Sequence, residues 1–182
     1  MAGESRGVSS GQMKRNTSIA NMMLTHAPIA KTDMLIRKPA EDVFEAIVDP
    51  AITSNFWFSK GSGRLETGAQ VQWVWESHDV VNNVVAIAVE RNRHVLIEWP
   101  GYAGLTQVEW TFEAIPDGTT FVRVTEAGWE DDADKLVRYV ADSTQGFTLL
   151  LAGMKAFLEH GIRLNLTLDR YPEGIEEQVI GE

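Results

Sequence analysis

Glu126 is the ionisable residue of this chain best placed to do chemistry. It follows Val122 and Val124 at strand spacing, so a strand that runs on turns its carboxylate to the same side as those valines. A carboxylate facing an apolar cavity is desolvated, which suits a proton donor or a ligand anchor. The competing reading ends the strand at Glu126 and leaves it in water, and the sequence favours that one. Glu98, Glu109 and Arg123 fall opposite their apolar neighbours and read as charges on a solvated face. His26, His78, His94 and His160 form no His-x-x-x-His or Glu-x-x-His set, so no metal is expected. Ser143-Thr144 has no histidine placed beside it and reads as helix capping rather than a nucleophile. The Gly61-Ser62-Gly63 loop lacks the lysine and following helix of a phosphate cradle, and no cofactor is expected.

The elements that would position Glu126 are legible as patterns. Ile29 to Arg37 reads as a first strand. Pro39, the acidic Glu41 and Asp42, and the apolar Val43, Phe44 and Ile47 predict a helix, and Asp49-Pro50 predicts the start of a second short one. That turn delivers Phe56, Trp57 and Phe58. From Val71 the chain alternates: Val71, Trp73 and Trp75, then Val85, Ile87 and Val89 after a turn near Asn82-Asn83. Val95, Ile97 and Trp99 follow, then Val108, Trp110, Phe112 and Ala114, with turn signals at Pro100-Gly101 and Pro116-Asp117-Gly118. Period-two segments joined by short turns predict an antiparallel meander with one wet face.

The last part reads as helical. Leu136, Val137 and Val140 predict a helix over 131–141, and Asp142 with Gln145 has the spacing of a cap for a new one. Phe147, Leu150, Leu151, Met154 and Phe157 share one face, and Gly161 is a natural stop. Gly146 and Gly153 sit on that same side, which implies close approach to the sheet or room left for something else. Beyond it, Arg163 to Tyr171 reads as extended. Ile162, Leu164, Leu166 and Leu168 would then lie on one strand face that needs covering, by this chain or by a second copy.

Composition sets limits. The chain has 182 residues, 44% hydrophobic and 23% charged, as expected of one soluble globular domain. A formal charge of -10 argues against nucleic-acid binding, and no apolar run is long enough for a membrane span. The absence of cysteine removes disulfide and thiolate chemistry. Residues 1–26 read as a tail, 27–162 as the domain and 163–182 as an extension. With no secretory signal pattern, the chain is read as cytoplasmic. The six tryptophans all fall from Trp57 to Trp129, where large rings suit a core or a ligand cavity.

The order of strand, two small helices, meander and long helix resembles the START-like superfamily. That superfamily is also called SRPBCC or birch-pollen-allergen-like. Ile36 to Ala46 resembles its strand-to-proline-helix opening, and Phe56-Trp57 its aromatic after the second helix. Gly61 to Gly68 with Val71-Gln72-Trp73 is similar to its glycine hairpin, Thr120 to Gly128 to its last core strand, and Gly146-Phe147 with Leu150, Leu151 and Leu158-Glu159 to its closing helix. Within it, the chain looks like the branch named after the activator of the ninety-kilodalton heat-shock protein ATPase, although that branch commonly has Gly-Trp where Gly146-Phe147 stands. The likeness spans about residues 29–162. It implies an α+β helix-grip fold, a curved antiparallel sheet wrapped around a long C-terminal helix, with a hydrophobic cavity between them.

The family does not imply one function. The first expectation is binding of a small apolar or amphipathic molecule, lined by Phe56, Trp57, Trp73, Trp75, Trp99, Trp110, Phe112, Phe147, Leu150, Leu151 and Met154. A core filled by the same residues is the equal alternative. The second expectation is a cyclase or aromatase-like enzyme with Glu126 as acid or base. The third is a co-chaperone-type protein-binding domain.

Overall fold

The computed structural model describes residues 24–170 and 172. Strand β1 (Ala30–Ile36) leads into helix α1 (Ala40–Val48), with Pro39 just before it and Glu41 and Asp42 in its first turn. The Asp49 side chain accepts the Ala51 N–H at 2.9 Å and caps the short helix α2 (Pro50–Thr53). Strands β2 (Lys60–Gly61), β3 (Gln70–Trp75), β4 (Val80–Glu90), β5 (His94–Gly101), β6 (Gly104–Ala114) and β7 (Thr120–Ala127) follow. Helix α3 (Ala133–His160) and the single-turn helix α4 (Leu166–Arg170) complete the described chain. The strands form one antiparallel sheet in the order β1-β7-β6-β5-β4-β3-β2.

The α+β helix-grip expectation holds. The strand faces that bury Trp73, Val95, Ile97, Val108, Trp110, Val122 and Val124 form one core with Phe147, Leu150, Leu151 and Met154 of α3. Each fully buried aliphatic side chain there contributes about 1.5–3 kcal/mol. Helix α1 adds Val43, Phe44 and Ile47, with the Phe44 and Phe112 rings edge to face at 5.7 Å. At the C-terminal end of α3, Glu159 accepts the Arg37 N–H at 2.7 Å, and Lys155 reaches the Leu35 carbonyl at 2.7 Å and Glu159 at 2.6 Å. Burial pushes the Glu159 carboxyl up. The Lys155 hydrogen bond and the Arg37 amide outweigh it, and the net shift is downward.

The structure departs from the sequence reading at four places. Val84 and Ala86 are buried in β4 while Val85 and Ile87 are exposed, the reverse of the expected phase. The β4 run is apolar at consecutive positions, so its sequence has no unique parity. Pairing decides it: Val71 lies opposite Val84, and the register to β5 shifts between Ala86 and Ala88. Asn82 and Asn83 lie inside β4, and the turn is instead a 3-10 turn over Glu76–His78 that ends at Asp79 with φ 54°. The β5–β6 hairpin turns at Tyr102-Ala103, just after Pro100-Gly101, and Gly104 takes the φ of 114° it requires.

The fourth departure is at the C-terminal end of the fold. A single helix runs through Asp142, because Asp132 supplies the N-cap, accepting the Lys135 N–H at 3.0 Å. The Asp142 side chain is drawn aside by Tyr102 and Arg170. The extended segment expected over 163–171 is helical at Leu166–Arg170, so the four apolar residues do not share one strand face. The expected tail up to residue 23 and the acidic stretch from 173 lie outside the described residues.

Gly153 sits where a Cβ would stand 3.2 Å from both the Cβ and the carbonyl oxygen of Phe56. The close approach at this glycine is therefore to the α2–β2 loop and not, as expected, to the sheet. Gly153→Val should cost about 1–3 kcal/mol in urea unfolding through overpacking. An unchanged midpoint would show that α3 is not pressed against Phe56.

Candidate functional site

Strand parity brings four inward side chains together at one end of the sheet. Val108 pairs with Glu126, and Thr106, two residues earlier on β6, pairs with Trp99. All four point to the face that α3 covers. Glu126 is 4% exposed, so the strand has not ended and the carboxylate is not in water, contrary to the favoured sequence reading. The β7 pattern of alternate buried residues continues through it.

A buried carboxylate must be hydrogen bonded, and this one accepts three donors from three elements. Trp99 Nε1 donates to Oε1 at 2.9 Å from β5, and Thr106 Oγ1 donates to the same oxygen at 2.6 Å from β6. Ser143 Oγ donates to Oε2 from α3. Ser143 is therefore a carboxylate ligand inside a continuous helix, not a cap. Thr106 is absent from the sequence expectations and Ser143 enters them only as a cap, although each had a signal. Thr106 shares parity with Trp110, and Ser143 stands one helical turn before Phe147.

Beside this carboxylate lies a cavity of about 380 Å³. Trp57, Trp75, Trp99 and Phe147 line it together with Glu126. The Trp57 ring centre lies 5.9 Å from Trp75, 6.1 Å from Trp99 and 6.3 Å from Phe147, and Trp99 stacks on Phe147 at 6.1 Å. The other expected lining residues do not reach it. Trp73, Trp110, Leu150, Leu151 and Met154 are at most 1% exposed, Phe112 is buried with them, and together they are filled core. Phe56 lines a smaller neighbouring hollow of about 320 Å³, bounded by Asn165 and Leu168.

The mouth is built from polar groups that sequence patterns do not connect. Tyr102, from the β5–β6 turn, donates to Asp142 and stacks on Tyr139 at 4.7 Å. Arg170 of α4 pairs with Asp142 and reaches Gln145 at 3.1 Å. Tyr139 donates to Asp131 at 2.9 Å. The Asp131 carboxyl is held down to about 2, chiefly by the Lys135 hydrogen bond, then by the Asp132 amide and Tyr139. Thr167 and Arg170 place α4 along the rim, and Gly146 leaves its floor open on the helix side. A Cβ on Gly146 would stand 3.1 Å from Arg170 Nη1.

Among the described residues, no cluster of histidine and carboxylate side chains could hold a metal ion, and no helix is long and apolar enough to cross a membrane. His94 Nε2 meets Glu109 at 2.8 Å, away from the cavity lining.

Residues 37–159 match the family described as Activator of Hsp90 ATPase homolog 1-like protein. The chain belongs to that family. Protein SSP2350 from Staphylococcus saprophyticus is similar at 31% identity and a TM-score of 0.64, over 75% of this chain and 96% of that one. The Aha1 dimer from Colwellia psychrerythraea is similar in fold at 19% identity and a TM-score of 0.62, over 74% and 98% of the two chains. The di-domain ARO/CYC BexL from the BE-7585A biosynthetic pathway has a TM-score of 0.64 at 14% identity, over 72% of this chain and 46% of that one. No curated protein sequence matches the chain. The family match ends at Glu159, so α4 and its contact with the cavity mouth lie beyond it.

Thr106→Val keeps the side-chain shape and removes one of the three donors to Glu126. It should cost about 1–3 kcal/mol in chemical unfolding, the range for a buried polar group deprived of a hydrogen-bond partner. A stability equal to that of the parent would show that the threonine hydroxyl does not hold this carboxylate.

Proposed function

We propose that this member of the family binds a small, largely apolar molecule in the cavity between the N-terminal half of α3 and the β5–β6 end of the sheet. The observation that carries the reading is an aromatic-walled hollow of about 380 Å³ with a buried carboxylate in its lining. Small-molecule sites combine this volume class, apolar walls and a few fixed polar groups. Trp57, Trp75, Trp99 and Phe147 supply the walls, and Glu126 the fixed polar group. Native mass spectrometry of protein purified from cells should reveal a retained small molecule. Amphiphilic aromatic compounds should also perturb its tryptophan fluorescence saturably. A bare protein mass together with no saturable change would end this reading.

A second reading, an enzyme of the aromatase or cyclase kind, is favoured by the position of Glu126. Its carboxylate is oriented by three donors at the wall of the cavity, an arrangement that can accept or deliver a proton at a bound substrate. The likeness in fold to an ARO/CYC protein supports it. Glu126→Gln should abolish turnover of a cyclising substrate while leaving its affinity within a few-fold. Undiminished turnover would remove Glu126 from the chemistry.

A further inference from the structure

We infer that the occupant of the cavity is an organic ammonium ion, a protonated or quaternary amine carrying an apolar body. The inference rests on the binding reading above and adds the sign of the ligand's charge.

The charges of the lining point that way. Among the described residues, its ionisable acids and bases are Glu126, Asp142 and Arg170, with the phenol of Tyr102 beside them. Arg170 and Asp142 form an ion pair, so their charges offset each other. Glu126 is different. Its hydrogen-bond partners are an indole and two hydroxyls, all neutral. No lysine, arginine or histidine forms an ion pair with it among the described residues. The cavity wall therefore holds one acidic group that the described residues hydrogen-bond but do not pair with a cation. Buried charges are ordinarily paired, and a cationic occupant would supply the missing partner.

The rings point the same way. Aromatic faces attract a cation within about 6 Å of the ring centre, and a box of several is the usual means of holding an ammonium group. Trp57, Trp75, Trp99, Phe147 and Tyr102 all line this cavity. The N–H of Trp99 is committed to Glu126, so that indole offers an occupant no donor. A neutral occupant would leave Glu126 without a cationic partner. An anion would face the Glu126 carboxyl and would have to compete with Asp142 for Arg170. The net charge of -10 over the whole chain draws cations toward the protein as well.

The test compares ligands matched in shape. Benzyltrimethylammonium and its uncharged carbon isostere, neopentylbenzene, would be titrated into the full chain and followed by tryptophan fluorescence, with anilinonaphthalene sulfonate as an anionic probe. The ammonium ion should bind at least tenfold more tightly than the isostere. That preference should fall to near parity in Glu126→Gln, which keeps the shape and removes the charge. Trp75→Leu, which leaves Glu126 in place, should weaken the ammonium more than the isostere and gives a second variant should the first fail to fold. Equal or tighter binding of the isostere or the sulfonate would overturn the assignment of charge while the binding reading stands. So would a preference that survives intact in a folded Glu126→Gln protein. If none of the three probes binds, both the assignment and the binding reading fail.

Discussion

A carboxylate taken out of water must find hydrogen-bond donors, and Glu126 finds them on three different elements. Trp99 comes from β5, Thr106 from β6 and Ser143 from α3, while Glu126 itself lies near the end of β7. Satisfying this one group pins the N-terminal half of the helix to the sheet at a defined height. The opposite end is held in the same manner. There Glu159 and Lys155 bind the backbone of β1 and the residue after it, at Leu35 and Arg37. Between these two polar anchors the contact is mostly apolar, apart from the Thr32 and Thr148 hydroxyls, which are hydrogen bonded at 3.0 Å. The helix thus has little freedom to settle onto the sheet and close the space beside Glu126.

The same arrangement explains why the cavity lies at one end and not along the whole groove. In the middle of the interface the facing residues are large: Trp73 and Trp110 from the sheet, Leu150, Leu151 and Met154 from the helix. Their volumes meet, and no space remains. Toward the β5–β6 turn the facing residues become small or polar, with Thr106, Ser143, Gly146 and Gly101 taking over. Trp57, arriving from the loop after α2, divides the two regimes. It packs edge-on against Trp73 at 4.8 Å and against Trp110 at 6.0 Å, and it faces the cavity with Trp75 and Trp99. Helix α4, which lies beyond the region matched by the family, adds Thr167 and Arg170 to the mouth. This chain therefore shapes access to the cavity with residues outside its shared core.

Much of the fold was legible because apolar period is a local property. The parity of Val122 and Val124, of Val108 and Trp110, and of Val71 and Trp73 is unambiguous, and each strand lies as its pattern predicts. The stripe of Phe147, Leu150, Leu151 and Met154 likewise marks the buried side of α3. Pattern failed where it was degenerate or where a distant group intervened. The β4 run is apolar in both phases, so only its partner strands could choose. Asp142 with Gln145 has a cap's spacing, yet Arg170, far along the chain, takes up the aspartate. Glu126 was legible as a candidate but not as buried, because burial depended on donors that parity places without revealing whom they meet.

Alternation and helical spacing by themselves determined the class of fold, the strand faces that turn inward and the helix that covers them. The reason is that side-chain direction follows directly from backbone period. Which inward residues meet and fill space, and which stand back from a void, was decided only by the tertiary structure. Complementary volumes, and hydrogen bonds between groups remote in sequence, depend on register and helix height, and no local pattern encodes either.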